Sequence, residues 1–212
     1  MRHATFLLAL PLLAAVPLLA QMPTEAPGAP DASRVSGGTY QADPGHTLVG
    51  WRLNHLGFND YFGIFGDVTG TLVLDPKNPA AARLDVTIPI ASVTVASAGL
   101  KDHLLRAGKD GGKPDFFGAA PAPARFVSTA VVVDAEGDEA KVTGDLTLNG
   151  VTKPVTLDVD FTGAGPAMMT NKETIGFEAE ATIKRSDFGL GFGVPLVGDE
   201  VELEITAAFE KK

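Results

Sequence analysis

The chain has 212 residues, a formal net charge of −9 and no cysteine. The lack of cysteine excludes disulfides, thiolate metal sites, a cysteine nucleophile and a lipid anchor on cysteine. The acidic balance disfavours nucleic acids and anionic membranes as partners, because binding to phosphates requires a basic surface. We therefore expect no nucleic-acid partner.

The first twenty residues have the pattern of a secretory signal peptide. A basic start at Arg2 is followed by an apolar run over residues 5–19 and by the small residue Ala20. The run is shorter than the ~20 residues of a membrane-spanning helix, and it contains two prolines. We therefore expect cleavage after residues 1–20, no stable membrane insertion, and a periplasmic or secreted mature protein.

Residues 21–38 are rich in Pro, Ala, Ser and Gly and show no periodicity. Such a composition buries too little apolar surface to offset the entropy lost on ordering, so it predicts a flexible leader. Residues 39–212 have the length of one domain. The expected parts are thus a signal peptide over 1–20, a leader over 21–38 and a folded domain over 39–212.

The folded domain consists mostly of segments in which apolar and polar residues alternate. Alternation with a period of two places the apolar residues on one face of a β-strand. One stretch instead has leucines at helical spacing, with Ser97 as a candidate N-cap and Gly108 as a stop. The predicted elements in chain order are strands at 39–41, 46–55, 67–75 and 82–90, a helix over 97–108, and strands at 124–134, 140–149, 155–163, 173–185 and 200–210.

The most regular hairpin turns near Asn149-Gly150. A two-residue turn at these positions is the stronger short-range signal. However, it would place Pro154 inside the ladder, where proline cannot donate a hydrogen bond. We therefore predict a longer turn over residues 150–153, which pairs Leu146 with Leu157.

Eight or nine strands and a single helix predict an all-β barrel or sandwich. Long strands with one apolar face favour the barrel, as do Gly70 and Gly144, where barrel strands could bend. Aromatic residues crowd three loop-like stretches, 58–65, 116–117 and 188–192. Aromatic side chains at one end of a barrel are better placed to line a cavity than to fill a solid core. A barrel filled by a solid core of side chains remains an alternative at this point.

Six segments resemble the YceI-like family. They are DPGHTLVGWRLNHLGF at 43–58, GIFGDVTGTLVLD at 63–75, KDHL at 101–104, PARFVST at 123–129, GDLTLNGVTKPVTL at 144–157 and RSDFGLG at 185–191. They occur in the family's order and span nearly all of residues 39–212, and the segment at 144–157 is the most specific. The chain departs from the pattern in the loop over 109–122, which contains Phe116 and Phe117.

The resemblance implies an eight-stranded antiparallel β-barrel of lipocalin-like shape with one inserted helix. It also implies an exported protein whose cavity holds a long amphiphilic lipid, such as a polyisoprenoid or an isoprenoid quinone, for sequestration, transport or storage. The family is not known for a shared catalytic motif. Whether the protein is a monomer or a homodimer stays open.

Apolar side chains are the main candidates for lipid binding, because each buried CH2 group contributes ~0.8 kcal/mol and a lipid tail needs few polar contacts. His103 and Arg185 are head-group candidates. Each also has a structural interpretation, which we favour: His103 is bonded to a strand carbonyl, and Arg185 is paired with Asp187. The predicted lipid-binding residues are Trp51, Leu53, Phe62, Phe65, Leu104, Phe126 and Phe188.

Catalytic and metal sites are not expected. His46 and His55 lie on opposite faces of one predicted strand, and no serine lies in a Gly-x-Ser-x-Gly context. We therefore predict no enzyme activity, no metal and no covalent cofactor. Two alternatives remain: an enzyme acting on a lipid or quinone inside the barrel, and an interaction module without a ligand.

Overall fold

The computed structural model describes residues 24–212, and the predicted signal peptide over 1–20 lies outside them. Ten strands and one α-helix make up this part of the chain. The strands are β1 Gly38–Ala42, β2 Leu48–His55, β3 Asn59–Phe65, β4 Thr69–Leu74, β5 Arg83–Ile88, β6 Ala124–Val133, β7 Glu139–Leu148, β8 Val151–Pro166, β9 Glu173–Lys184 and β10 Glu200–Lys211, and the helix α1 is Ala98–Leu104.

The sheet is antiparallel and closes on itself. Strand β10 pairs with β1 near its end and with β2 nearer its middle, so β1 and β2 lie end to end along it. Strand β4 pairs with β1, and strand β3 pairs with β2, so β3 and β4 also lie end to end. Each of these strand pairs acts as one interrupted strand, which gives a closed eight-stranded barrel. The predicted fold is confirmed.

Backbone groups of β10 remain hydrogen-bonded opposite the break between β1 and β2. The Asp43 N–H donates to the Ala208 carbonyl over 2.8 Å. The buried Thr47 hydroxyl accepts from the Ala208 N–H and also donates to its carbonyl, at 3.2 Å in both cases. Side-chain and turn contacts thus replace ladder bonds where the strand bends, as burial of backbone polar groups requires.

The hairpin between β7 and β8 has the two-residue turn, so the prediction of a longer turn was wrong. Asn149 and Gly150 have φ of 51° and 76°, and Leu146 faces Lys153. Both central residues at positive φ are typical of a type I′ turn, which matches the twist of the strands.

Pro154 is tolerated because its nitrogen points away from β7. The residues flanking a two-residue turn form a hydrogen-bonded pair, so every second pair after it is hydrogen-bonded too. Pro154 faces Asp145 in a pair without hydrogen bonds, and the ladder from β8 to β9 begins only at Asp158. The missing N–H therefore falls on a side of β8 that has no neighbouring strand at this position.

The error in pairing leaves the inward face unchanged. Lys153 and Leu157, the two alternative partners of Leu146, are an even number of residues apart, so each side chain keeps its side of the sheet. Six apolar residues that alternate along these two strands border the interior space of the barrel: Leu146, Leu148, Val155, Leu157, Val159 and Phe161.

Helix α1 begins as predicted and ends earlier. The Ser97 hydroxyl accepts from the Leu100 N–H over 3.2 Å, which confirms the N-cap. The helix ends at Leu104, whose carbonyl accepts from the Phe117 N–H over 3.0 Å. The loop after the helix thus satisfies a carbonyl at its end, and Gly108 is not the stop.

The two ends of the barrel differ. We call one the terminal end, since the N-terminal segment 24–37 lies there with the turns at 75–82, 134–138 and 167–172. We call the other the loop end. It has the turns at 56–58 and 149–150 and the long connections 89–123 and 185–199, which include α1.

The stretch predicted as a flexible leader makes defined contacts at the terminal end. The backbone of Ala29 exchanges two hydrogen bonds with Ala164 of β8, at 3.1 and 2.9 Å. Val35 is buried, and both the backbone and the hydroxyl of Ser36 donate to Glu173. Small side chains let this segment lie close against the strand ends, where it finds backbone partners that a composition argument does not reveal.

Candidate functional site

Two apolar cavities lie inside the barrel. The first, about 320 Å³, extends toward the terminal end, and the second, about 140 Å³, lies under the connections of the loop end. The residues that border both cavities are Val49, Ile88, Leu146 and Leu203. The two cavities therefore adjoin, and together they follow the interior of the barrel from one end to the other.

The first cavity is lined by the inward faces of the barrel strands. Leucine, isoleucine, valine and phenylalanine side chains make up most of its wall, and Phe126 of β6 is among them. Val35 of the N-terminal segment closes part of the terminal end. Polar side chains are few, namely Thr47, Asp138 and Glu139. Such a wall suits a hydrocarbon chain better than a polar solute.

The second cavity is more aromatic. Trp51 and Phe65 reach it from β2 and β3, and Phe116 and Phe117 reach it from the connection after α1. The rings of Phe65 and Phe117 pack edge to face with centroids 6.0 Å apart. Arg185 is the charged residue of this wall. Both walls are therefore largely apolar, and the second differs from the first mainly in its higher proportion of aromatic side chains.

Five of the seven predicted lipid-binding residues border a cavity: Trp51, Leu53, Phe65 and Leu104 the second, and Phe126 the first. Phe188 is buried beside the cavities and lines neither of them.

Phe62 requires a correction, because its side chain is 73% exposed on the outside of the barrel. In β3, Gly63 and Phe65 take the inward face, so Phe62 must point outward. Because Gly63 has no apolar side chain, the alternation of β3 is not visible in the sequence. The prediction that Phe62 lines the cavity is therefore wrong.

Several lining residues were not among the predicted site residues. Val49 and Leu146 belong to apolar rows that alternation identified, but alternation does not show which part of a buried row borders empty space. Phe116 and Phe117 lie in the loop that departs from the family pattern. In the sequence, two adjacent aromatic residues in a loop are the feature that could have identified them.

The guanidinium of Arg185 is held by backbone carbonyls. It donates to Gly198 over 2.7 Å, to Phe192 over 2.9 Å, to Val197 over 2.8 Å and also to Leu190. The residue is 4% exposed, and burial lowers its pKa below the ordinary value for arginine. Arg185 thus orders the connection over 185–199, and its partners are these carbonyls rather than Asp187.

His103 is bonded to a carboxylate in the loop after α1. Its Nε2 lies 2.7 Å from Oδ2 of Asp115, and Arg106 donates to the same oxygen over 3.0 Å. The hydrogen bond from His103, together with that from Arg106, lowers the pKa of Asp115 although burial opposes this. The structural interpretation expected a strand carbonyl as the partner, and the observed partner is instead Asp115.

Trp51 has the one buried side-chain polar atom without a hydrogen-bond partner in residues 24–212, its indole Nε1. Burying such a donor without an acceptor costs about 1–3 kcal/mol. The indole borders the second cavity.

Residues 24–212 contain no group of three His, Cys, Asp or Glu side chains that could hold a metal ion. The same residues include no helix with the length and hydropathy needed to cross a bilayer.

Comparison with known proteins identifies the family. The model of the YceI-like domain matches residues 40–209. Protein YceI of Escherichia coli O157:H7 is 43% identical over 162 residues, covering 76% of this chain and 80% of that protein. The crystal structure of Burkholderia cenocepacia BcnA has a TM-score of 0.62 at 27% identity and covers 79% of this chain and 98% of BcnA.

A polyisoprenoid binding domain from Saccharophagus degradans has a TM-score of 0.57, covering 82% of this chain and 98% of that domain. Its identity is 13%, so this likeness shows the fold alone. The family model and the Escherichia coli relative carry the assignment, because both extend over most of the barrel. The chain belongs to the YceI-like domain family.

Proposed function

We propose that this protein is exported and holds one long amphiphilic lipid, a polyisoprenoid or an isoprenoid quinone, for sequestration, transport or storage. The observation that carries the proposal is the pair of adjoining apolar cavities along the barrel interior. The first cavity alone falls within the range of about 300–1,000 Å³ that is usual for ligand pockets. The polyisoprenoid binding domain with the same fold supports this choice of ligand class.

The energetics favour a filled cavity. Empty apolar space costs about 24 cal/mol per Å³, so a void of 320 Å³ would cost several kcal/mol. That cost is a large part of the 5–15 kcal/mol by which domains are usually stable. A prenyl unit transferred from water would contribute about 4 kcal/mol, since it contains five carbons at ~0.8 kcal/mol each.

The lipid tail lies along the two adjoining cavities, whose walls are apolar. His103 and Arg185 act on the ligand indirectly in this proposal, by ordering the loop-end connections that cover the second cavity.

Lipid content of cavity-filling variants tests the proposal. Ala179 of β9 faces the first cavity and Ala130 of β6 is exposed, so Ala179→Phe fills the space and Ala130→Phe is the matched control. We expect organic extracts of wild type and of Ala130→Phe to contain about one amphiphile per chain, and extracts of Ala179→Phe to contain much less. Equal lipid content in all three proteins, or none in wild type, would refute the proposal. Turnover of the extracted lipid by the wild type would favour an enzyme instead.

A further inference from the structure

The loop end exposes an unusual group of apolar side chains. Phe58 is 88% exposed at the tip of the turn between β2 and β3, and Leu196 is 70% exposed on the connection over 185–199. The two segments are joined, because the Leu56 N–H donates to the Leu196 carbonyl over 3.0 Å. We call this group the apolar tip, and its members are Leu56, Phe58, Phe192, Val194 and Leu196.

The segment that contacts the apolar tip carries several exposed cations. Phe192 packs edge to face on His103, with centroids 5.6 Å apart, so the tip continues into α1 and the loop that follows it. Residues 97–118 have four lysines and arginines and three aspartates, in a chain with nine more acidic than basic residues. The exposed cations of this stretch are Lys101, Arg106, Lys109 and Lys113.

The opposite end is more acidic, because its turns and the N-terminal segment have six acidic and three basic residues, whereas the segments of the loop end have five of each. The turn between β6 and β7, over residues 134–139, has four carboxylates and no cation. Near an anionic surface the molecule would therefore orient with its loop end toward that surface and its terminal end away from it. The net charge of the whole chain, which disfavours anionic membranes, does not describe this local distribution.

We propose that the loop end docks on the surface of a lipid bilayer that contains anionic lipids. The apolar tip enters the boundary between head groups and acyl chains, and the neighbouring cations contact lipid phosphates. Docking would also bring the second cavity close to the bilayer, because Phe116 borders that cavity and packs on Phe192 with centroids 5.6 Å apart. The proposal does not depend on a lipid inside the barrel.

Co-sedimentation of the purified protein with vesicles tests the apolar contribution. The vesicles contain phosphatidylethanolamine and phosphatidylglycerol, with pure phosphatidylcholine vesicles as the uncharged reference. The test variant is Phe58→Ser with Leu196→Ser. The matched control, Val132→Ser with Met169→Ser, removes two exposed apolar side chains at the terminal end. We expect the test variant to lose about tenfold or more in vesicle affinity and the control to match wild type.

Charge variants and salt test the electrostatic contribution. We expect Lys109→Gln with Lys113→Gln to weaken binding to the anionic vesicles, and Lys77→Gln with Lys172→Gln, at the terminal end, to leave it unchanged. Binding by wild type should fall when the salt concentration is raised. Thermal melting of every variant shows that the barrel remains folded.

Three outcomes would overturn the proposal. The first is that wild type does not sediment with anionic vesicles. The second is that the apolar-tip variant binds them as wild type does. The third is that the same variant lowers the mass in light scattering from dimer to monomer without affecting vesicle binding, which would make the tip an interface between two copies. Lipid extraction from the same samples reports separately on the cavity.

Discussion

The phenolic oxygen of Tyr40 lies 2.6 Å from Oε1 of Glu173, and the tyrosine is fully buried. Ser36 of the N-terminal segment donates to the same carboxylate through its backbone and its hydroxyl. Lys211 of β10 donates to the Ser36 hydroxyl. One carboxylate on β9 therefore ties together β1, β10 and the N-terminal segment that covers the first cavity.

Substituting Glu173→Gln should destabilise the protein by about 1–3 kcal/mol, because the buried Tyr40 hydroxyl and the Ser36 donors lose a charged acceptor. Urea unfolding measures this loss. Glu178→Gln on the exposed face of β9 is the matched control and should change stability by less than about 0.5 kcal/mol. A loss as small as that of the control would show that the carboxylate does not hold the segment.

The same contacts predict two pH limits of stability. Burial, and next the bond to Glu173, raises the pKa of Tyr40 to about 12. Because a folded pKa above the unfolded value favours the protonated form, this contribution is complete below about pH 10 and is lost as the pH rises toward 12. Tyr40→Phe should remove that alkaline loss in urea unfolding followed as a function of pH.

Glu173 sets the acid limit, and its contribution to stability is lost as the pH falls. Burial raises the pKa of Glu173, but the hydrogen bonds from Ser36 and Tyr40 outweigh it and leave the pKa below the ordinary value. Its contribution is therefore present above about pH 4.3 and is lost as the pH falls through the lowered value. The difference in stability between wild type and Glu173→Gln should shrink over this acid range, and a constant difference would contradict the assignment.

Two glycine substitutions should have effects of opposite sign. Gly150 has a φ of 76° and open space around it, so Gly150→Ala adds backbone strain alone and should cost about 1 kcal/mol or more. Gly99 lies in α1 with an ordinary φ, so Gly99→Ala should stabilise by about 0.5–1 kcal/mol. Thermal melting measures both changes, and a neutral Gly150→Ala would argue against the two-residue turn.

Removing the Arg185 side chain should unfold part of the loop end. Arg185→Met leaves four carbonyls without their donor and should cost about 3 kcal/mol or more in lipid-free protein. Arg125→Met breaks an exposed ion pair with Asp85 and should cost at most about 1 kcal/mol. If lipid-free Arg185→Met were as stable as wild type while binding less lipid, Arg185 would be a head-group ligand instead.

Local patterns favoured a barrel and predicted most of its inward faces, and the family resemblance predicted its eight strands. Alternation placed Leu146 and Leu157 on the interior whichever turn joined their strands, because the two pairings differ by an even number of residues. The register required nonlocal information. The objection to Pro154 assumed a neighbour on both sides of β8, and the ladder to β9 begins only at Asp158.

The site was less predictable than the fold, since its contacts depend on segments that are distant in the chain. Phe62 was assigned to the cavity because Gly63 interrupts the apolar alternation of β3. Arg185 donates to backbone carbonyls, and Ala29 pairs with the backbone of β8. Patterns of side chains in a sequence do not predict partners that are backbone groups. The unfilled space beside Val49 follows from barrel closure rather than from any single strand.

Native mass spectrometry of the protein purified without detergent from its own cells shows whether the barrel holds a lipid. We predict a folded species heavier than the bare chain by the mass of one amphiphilic lipid, and release of that lipid on collisional activation. A folded species with the mass of the bare chain alone, in protein that retains its cavities, would contradict the account.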